Sequence, residues 1–411
     1  MNTAFFIAKR LAFKEKKSFS SFIIRIALLA VSLSVCVMII STAITRGYQQ
    51  VISEKFYDCW GHLHVTTFLE DPGSLLNDEK ITKDDQLISD LQKMPEIKSV
   101  NTYRIQSAML KTSNDMEGIL LKGLSGNEGD INLNRYIVAG NKVNFNQTVA
   151  SNDIMISSSL AKKMELNVGH TVKLYFLNKN EYQPKIRKGI VRGIYNTGLE
   201  DYDNVFAICD ARLLNSVNDD SINVIQGYEI YLKDKNLGPV VEERIFDQYL
   251  HPPLEVYRLE KRFGNIFSWL NMMRMNEKII IIIMMIIAII NMITALLILI
   301  LERTRMIGVL KALGMPNIQI QSVFLYSSIY IVGIGVAIGT LVGTALCWFQ
   351  LKFGWIRLDE ATYYVKTVPI QLNASIIVMI DVLTIVICLL LLLIPSYLIR
   401  TISSVKALQF T

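Results

Sequence analysis

The chain has 411 residues, 51% of them hydrophobic and only 19% charged, against roughly a quarter charged in ordinary soluble proteins. The shortfall is concentrated in four apolar stretches, each long enough to cross a bilayer, which takes about 20 residues as a helix. The formal net charge of +6 sits in short basic segments beside those stretches rather than on a face interleaved with aromatics, which argues against a nucleic-acid role.

Ahead of the first stretch, Phe5, Phe6, Ile7, Leu11 and Phe13 alternate with Lys9, Arg10, Lys14, Lys16 and Lys17. Residues 1–21 therefore read as an amphipathic segment lying on the cytoplasmic face. The first span covers residues 22–46. Its apolar core exceeds the about 7–15 residues of a signal peptide, and no small-residue cleavage site is evident, so it is expected to remain as an anchor.

Residues 47–277 form a large α+β extracytoplasmic domain inserted between the first and second spans. The alternating runs His62–Thr66, Thr171–Phe176 and Gly227–Leu232 predict strands. Asp85–Lys93 and Ser157–Met164 predict helices, with Gly, Asn and Asp clusters at the turns. The domain is large enough to bury its own core, in one lobe or two. His62 and His64 share a strand face, as metal ligands can, but no third ligand stands near them and no metal is expected. Cys59 and Cys209 can pair or remain apart, since two distant cysteines make no disulfide framework. Leu174–Ile186 predicts a hairpin with the tip Leu177, Asn178, Lys179, Asn180, Glu181, Tyr182 and Gln183, polar as surface hairpins are. Phe263–Lys278 predicts a helix continuing into the second span.

That span covers 278–301, the third 318–350 and the fourth 373–399. A segment at 302–317 joins the second to the third, a loop at 351–372 joins the third to the fourth, and 400–411 form a tail. Arg303, Arg305 and Lys311 follow the second span, and Arg400 and Lys406 follow the fourth. By the positive-inside rule both termini and the 302–317 segment are cytoplasmic, with the large domain and the 351–372 loop outside. In the third span Gly335, Gly339 and Gly343 fall on one face, where small residues let helix backbones approach closely. Asn291 lies midway along the second span beside Met284, Met285 and Met292. It either bonds a neighbouring helix or faces a cavity lined by adaptable methionines. Asp381 is an ionisable group inside the fourth span, either functional or solvated near the interface.

Between the middle spans, Met306, Ile307, Val309, Leu310 and Leu313 give 302–317 an apolar stripe at helical spacing, with Gly314 and Pro316 ending it. Composition alone fits an interfacial connector and a docking element equally. Nowhere does a phosphate-binding Gly-x-x-x-x-Gly-Lys-[Ser/Thr] run occur, and no nucleophile–base or paired-carboxylate pattern stands out.

The run Glu302-Arg303-Thr304-Arg305-Met306-Ile307-Gly308-Val309-Leu310-Lys311-Ala312-Leu313-Gly314 resembles the coupling-helix motif of the FtsX-like permeases, the membrane subunits of mechanotransmitting ABC transporters. Met306 stands where that family usually has an acidic residue. Ala8-Lys9-Arg10, Ser18–Phe22, Gly61–Val65, the segment Gly189–Asp203 and the ending Ser404–Leu408 are similar to the lipoprotein-releasing branch, LolC and LolE. The resemblance implies a non-catalytic permease subunit in the bacterial inner membrane. It would extract lipoproteins from the outer leaflet and pass them to a periplasmic carrier. The implied alternatives are a regulator of cell-wall hydrolysis like FtsX and an exporter of peptides or small amphiphiles. The implied partners are a separate cytoplasmic ATPase dimer, which binds the ATP and Mg, a second permease subunit (homologous or identical), the lipoprotein and membrane lipid. Arg303, Arg305, Ile307, Gly308, Leu310, Lys311, Leu313 and Gly314 take the family's ATPase-coupling role. Met38, Ser41, Met284, Met285, Asn291 and Met292 fall where the family's cargo cavity lies, and the hairpin tip falls where one subunit carries a hook for the carrier. No cofactor is implied for this chain itself.

Overall fold

A computed structural model describes residues 19–68, 79–113, 115–125, 135–143, 145, 151–177 and 183–396. The amphipathic segment before residue 19, the tail with its Ser404–Leu408 ending, and Asn178–Tyr182 of the hairpin tip lie outside the described residues. The chain forms two compact units. One comprises residues up to 50 with 270–357 and the chain from 367 onward, and the other 51–269 with 358–366.

The first unit contains four helices long and apolar enough to cross a membrane: Phe19–Trp60, Gly264–Glu302, Asn317–Phe353 and Ala374–Ser396. The first two, 42 and 39 residues long, measure about 1.5 Å per residue, some twice the ~30 Å of a hydrocarbon core. They outrun the apolar stretches expected at 22–46 and 278–301. Residues 48–60 contain neither Gly nor Pro to stop the helix, and it ends only where Gly61 turns to φ +74°. The second compact unit accordingly comprises residues 51–269, within the expected 47–277, together with residues 358–366 of the 351–372 loop. Between the second and third spanning helices a separate short helix runs over Thr304–Ala312.

The four helices share one core. Val31, Val35, Met38 and Ile39 of the first meet Met292, Leu296 and Ile300 of the second, Phe324, Ile331 and Val336 of the third, and Cys388 and Leu392 of the fourth. Outside the apolar stretch, the first two helices are tied by Gln49 Nε2 donating to the Leu270 carbonyl at 2.9 Å and by an Arg46–Glu277 ion pair at 3.9 Å.

The second unit is an α+β domain. Its strands are β1 Leu63–Thr67, β2 Ile81–Thr82, β3 Ile97–Lys111, β4 Met116–Leu124, β5 Ile137–Gly140 and β6 Asp153–Ser157. They continue with β7 Thr171–Phe176, β8 Lys185–Tyr195, β9 Phe206–Asp210, β10 Val224–Ile225, β11 Gly227–Leu232 and β12 Leu254–Arg258. Among the described residues ten strands form one sheet in the order β12-β1-β11-β3-β4-β9-β6-β8-β5, while β7 pairs with both β8 and β3. That double pairing closes β3-β4-β9-β6-β8-β7 into a ring, filled by Leu110, Leu121, Ile156, Leu174, Phe176 and Val191. The other end of the sheet, β12-β1-β11 with the first half of β3, is covered by helices Asp85–Gln92 and Gly238–Tyr249 over a separate core containing Leu91, Tyr228 and Ile245. The domain thus has two lobes threaded by the 15-residue β3.

Local chemistry sets these elements. In β7 Val172, Leu174 and Phe176 alternate inward between exposed Thr171 and Lys173, the period of a half-buried strand. Asp84 caps its helix by accepting from the Gln86 and Leu87 amides, and Ser157 caps Ser158–Lys163 by accepting from Leu160, satisfying donors that a helix start leaves orphaned.

Candidate functional site

The helix Thr304–Ala312 follows the second spanning helix after one residue, Arg303, and ends just before Gly314, which adopts φ +84°. Pro316 then opens the third spanning helix. Ile307 and Gly308 are buried, Ile307 within the core of the four-helix bundle, while Leu310 and Lys311 are half-buried. Arg303 is half-buried as well. Arg305, Val309, Ala312, Leu313 and Gly314 are exposed, Leu313 to 78%. The coupling residues expected from sequence therefore divide between a buried and an exposed side of the helix. Ile307 and Gly308 fix the helix to the bundle, and Arg305 and Leu313, joined by Val309, present a basic and apolar face outward.

In the third spanning helix, Gly335, Gly339 and Gly343 lie against the first. A Cβ added at Gly339 would stand 2.5 Å from the Ser32 carbonyl, at Gly335 3.0 Å from Val31, and at Gly343 3.3 Å from Cys36. The close approach is made within one chain. Met38, Met285 and Met292 are buried in the bundle core, whereas Ser41, Met284 and Asn291 are half-buried. Asp381 accepts a hydrogen bond from the Thr340 hydroxyl at 2.7 Å, joining the fourth helix to the third.

The last turns of the first long helix, from Val51 to Trp60, belong to the extramembrane unit, and here lies a group of residues that periodicity did not single out. Trp60 is fully buried, edge-on to Phe206 at 5.0 Å and tilted against Phe263 at 5.5 Å. Phe56 meets Phe263 at 5.2 Å, and the Tyr57 hydroxyl donates to Glu260 at 2.9 Å. The final carbonyls carry the negative end of the helix dipole, and two side chains meet them. Lys122 Nζ donates to the Cys59 carbonyl at 2.7 Å, and His64 Nε2 donates to that of Trp60 at 2.7 Å. Lys122 also pairs with Glu229 at 2.6 Å and lies 4.2 Å from the Trp60 ring centre, all three buried from solvent. Arg262, two residues before the second long helix, donates to His64 Nδ1 at 3.0 Å and to the Tyr103 hydroxyl at 3.2 Å. The end of one long helix and the start of the next are thus seated in one buried polar joint.

Burial, then the positive Arg262 and Lys122, holds His64 neutral with its pKa well below the ordinary value. Burial likewise pushes Glu229 upward, against the pull of Lys122. A sequence signal for the pair exists: Lys122 and Glu229 are lone charges in otherwise apolar strand runs, Leu120-Leu121-Lys122 and Tyr228-Glu229-Ile230.

The two histidines do not converge. His62 stacks on Tyr57 at 4.3 Å and accepts from the Leu232 amide, and burial lowers its pKa to about 4. Among the described residues no group of three or more His, Cys, Asp or Glu side chains is arranged to hold a metal. Cys59 and Cys209 are separate buried free thiols, their pKa values raised by that burial. The strands flanking the expected hairpin are β7 and β8, antiparallel from Phe176–Lys185 to Thr171–Ile190. Of the tip, Leu177 is exposed, as is Gln183.

Four membrane-crossing helices, a large α+β domain inserted after the first, and a short two-faced helix between the middle pair define a polytopic permease-type membrane protein. Comparison with known families makes this specific. The FtsX-like permease C-terminal family matches residues 278–404, and the MacB-like periplasmic core domain matches residues 26–243, more than half of the chain. The chain belongs to this family of FtsX-like permeases with a MacB-like periplasmic core. It is 20% identical over 414 residues to the lipoprotein-releasing system transmembrane protein LolC of Xylella fastidiosa (strain 9a5c), covering 97% of this chain and 96% of that protein. It is 21% identical to LolE of Haemophilus influenzae, covering 96% of each. The periplasmic region of MacB from Actinobacillus actinomycetemcomitans aligns with 50% of this chain and 92% of its own, at 15% identity and a TM-score of 0.36.

Proposed function

We propose that this chain is the permease subunit of a mechanotransmitting ABC transporter in the bacterial inner membrane. It extracts lipoproteins from the outer leaflet and passes them to a periplasmic carrier, driven by a separate cytoplasmic ATPase dimer that binds ATP and Mg. The observation that carries this reading is the similarity to LolC and LolE along nearly the whole chain, and the short helix supports it. Its Ile307 side is built into the bundle, so a push on Arg305, Val309 and Leu313 is delivered to the second and third spanning helices without slack. The long helices, unbroken by proline, then carry the displacement to the aromatic and ionic joint around Trp60, Lys122 and Arg262.

In this reading both termini and the short helix are cytoplasmic, which the positive-inside placement of the flanking basic residues supports. Ser41, Met284 and Asn291, half-buried at the bundle surface, face cargo, supported from behind by Met38, Met285 and Met292. Ile282, Ile286 and Ile290 leave an exposed apolar stripe on the second helix, suited to acyl chains and to a second permease copy. The tip Leu177–Gln183 contacts the carrier, and deleting residues 178–183 abolishes carrier binding.

Purification from native membranes tests the whole. A co-purifying ATPase together with a trapped lipidated polypeptide is expected, and depletion leaves lipoproteins stranded in the inner membrane. Chaining cells with normal lipoprotein sorting would instead establish a cell-wall regulator, and a trapped unlipidated peptide an exporter.

A further inference from the structure

Residues 358–366, between the third and fourth spanning helices, are part of the extramembrane unit rather than a free connection. The segment closes on itself through the Leu358 amide donating to the Lys366 carbonyl at 2.9 Å and a Glu360–Lys366 ion pair at 3.5 Å, and it buries Val365. It is held from three sides. Lys55, on the first long helix, donates from Nζ to the Tyr364 carbonyl at 2.7 Å. Trp269, on the second, meets the Tyr364 ring edge-on at 6.4 Å. The third side is the turn after β8, where the buried Asp203 carboxylate accepts from the Thr197 and Gly198 amides and the Thr197 hydroxyl.

That turn holds Gly198 at φ +69°, and a Cβ placed there would lie 2.6 Å from Glu360 Oε1 and 2.7 Å from Lys55 Nζ. A side chain at this position would be strained by its backbone conformation and would displace the ends of the two charged side chains.

The flanking connections leave no slack. Gln350, near the end of the third spanning helix, donates from Nε2 to the Ile356 carbonyl and accepts from the Ile356 amide, at 3.2 and 3.0 Å. The Val368 amide donates to the Ile356 carbonyl, and the Gln371 amide to that of Ala43.

We infer that residues 358–366 form a strap, held by Lys55 and Glu360 over Gly198, that stays closed throughout the transport cycle and carries motion between the extramembrane domain and the third and fourth spanning helices. Lys55 is then a positioning residue. It touches no cargo and acts through the segment it holds. This rests on the transport reading above, in which the first two helices were the only mechanical route.

The test uses the full chain with its ATPase in proteoliposomes. With Lys55→Cys and Tyr364→Cys combined, a short, reductant-cleavable bis-thiol cross-linker is expected to join the two positions with and without nucleotide, and lipoprotein release should continue at the wild-type rate after cross-linking. Lys55→Glu is expected to lower release per ATP hydrolysed by about tenfold, the size of an ordinary coupling term, and Lys55→Glu with Glu360→Lys to restore most of it. Gly198→Val should mimic Lys55→Glu, with ATPase binding and elution volume unchanged. Release that stops on cross-linking and resumes with reductant would make the segment a gate that must open, overturning the strap. Normal coupling in Lys55→Glu would overturn it as well. A wild-type complex that releases no lipoprotein defeats the transport reading, whereas cross-link yield with and without nucleotide still reads the strap.

Discussion

Replacing Lys122 with methionine removes the cation that meets Glu229 at 2.6 Å and leaves that carboxylate in the core. Removing one partner of a buried pair costs about 3–5 kcal/mol because a bare charge remains. An independent bound comes from the escape open to Glu229, which is to take up a proton. From its ordinary value of 4.5, neutralising it at pH 7 costs about 3.4 kcal/mol, at about 1.36 kcal/mol per pH unit. The lost contact with the Trp60 ring adds about 1 kcal/mol. Thermal or denaturant unfolding of the full chain in detergent is the assay. The deficit should shrink as pH is lowered from 7, by up to about 1.4 kcal/mol per unit until the raised pKa of the paired wild-type Glu229 is reached, because protonation becomes cheaper. Adding Glu229→Leu should return most of the stability, since an apolar pair of similar volume removes the stranded charge. A deficit independent of pH, or a double variant as unstable as the single one, would refute the reasoning.

Three further outcomes follow from the geometry. Gly339→Ala places a Cβ 2.5 Å from the Ser32 carbonyl and should cost about 1–3 kcal/mol by overpacking; melting in detergent checks it, with Gly333→Ala, where nothing lies within 4 Å, as the silent control. Leu313→Asp, at an exposed position, should leave melting unchanged yet weaken co-purification of the ATPase by about 2 kcal/mol, the scale of an interface hot spot, whereas Ile307→Asp should unfold the bundle. His62 has its folded pKa lowered to about 4 from 6.5, so below pH 6.5 the unfolded state binds more protons and stability falls toward pH 4. Asp203, raised to about 6 from 3.8 by burial, acts in the opposite sense over about pH 6 to 4. Because His62→Gln leaves Asp203 in place, the variant should gain on wild type by up to about 1.4 kcal/mol per unit across that window, and parallel pH profiles would rule this out.

The signals that read well were those with a strong local cause. Apolar runs of bilayer length appear as spanning helices, and Thr171–Phe176 and Gly227–Leu232 appear as strands over those very residues. Helix ends were harder. Trp60 lies well past the last apolar turn at Thr45, because polar residues such as Gln49, Glu54 and Lys55 tolerate helix and nothing before Gly61 breaks it. The short helix shows another limit. Met306, Ile307, Val309, Leu310 and Leu313 spread over an arc of about 160° at about 100° per residue, and spacing does not say which part of that arc the bundle takes.

Composition, charge placement and motif alone determine that this protein lives in a membrane, crosses it four times and carries a folded domain between the first two crossings. Transfer free energy and backbone satisfaction in lipid are local properties of each segment and need no partner to act. Only the tertiary structure decides that Lys122 meets Glu229 across 107 positions of chain, that the three glycines receive the first helix, and that residues 358–366 belong to the extramembrane domain. Those outcomes depend on which distant surfaces come together, and pairing energies between remote residues leave no period in the sequence to read.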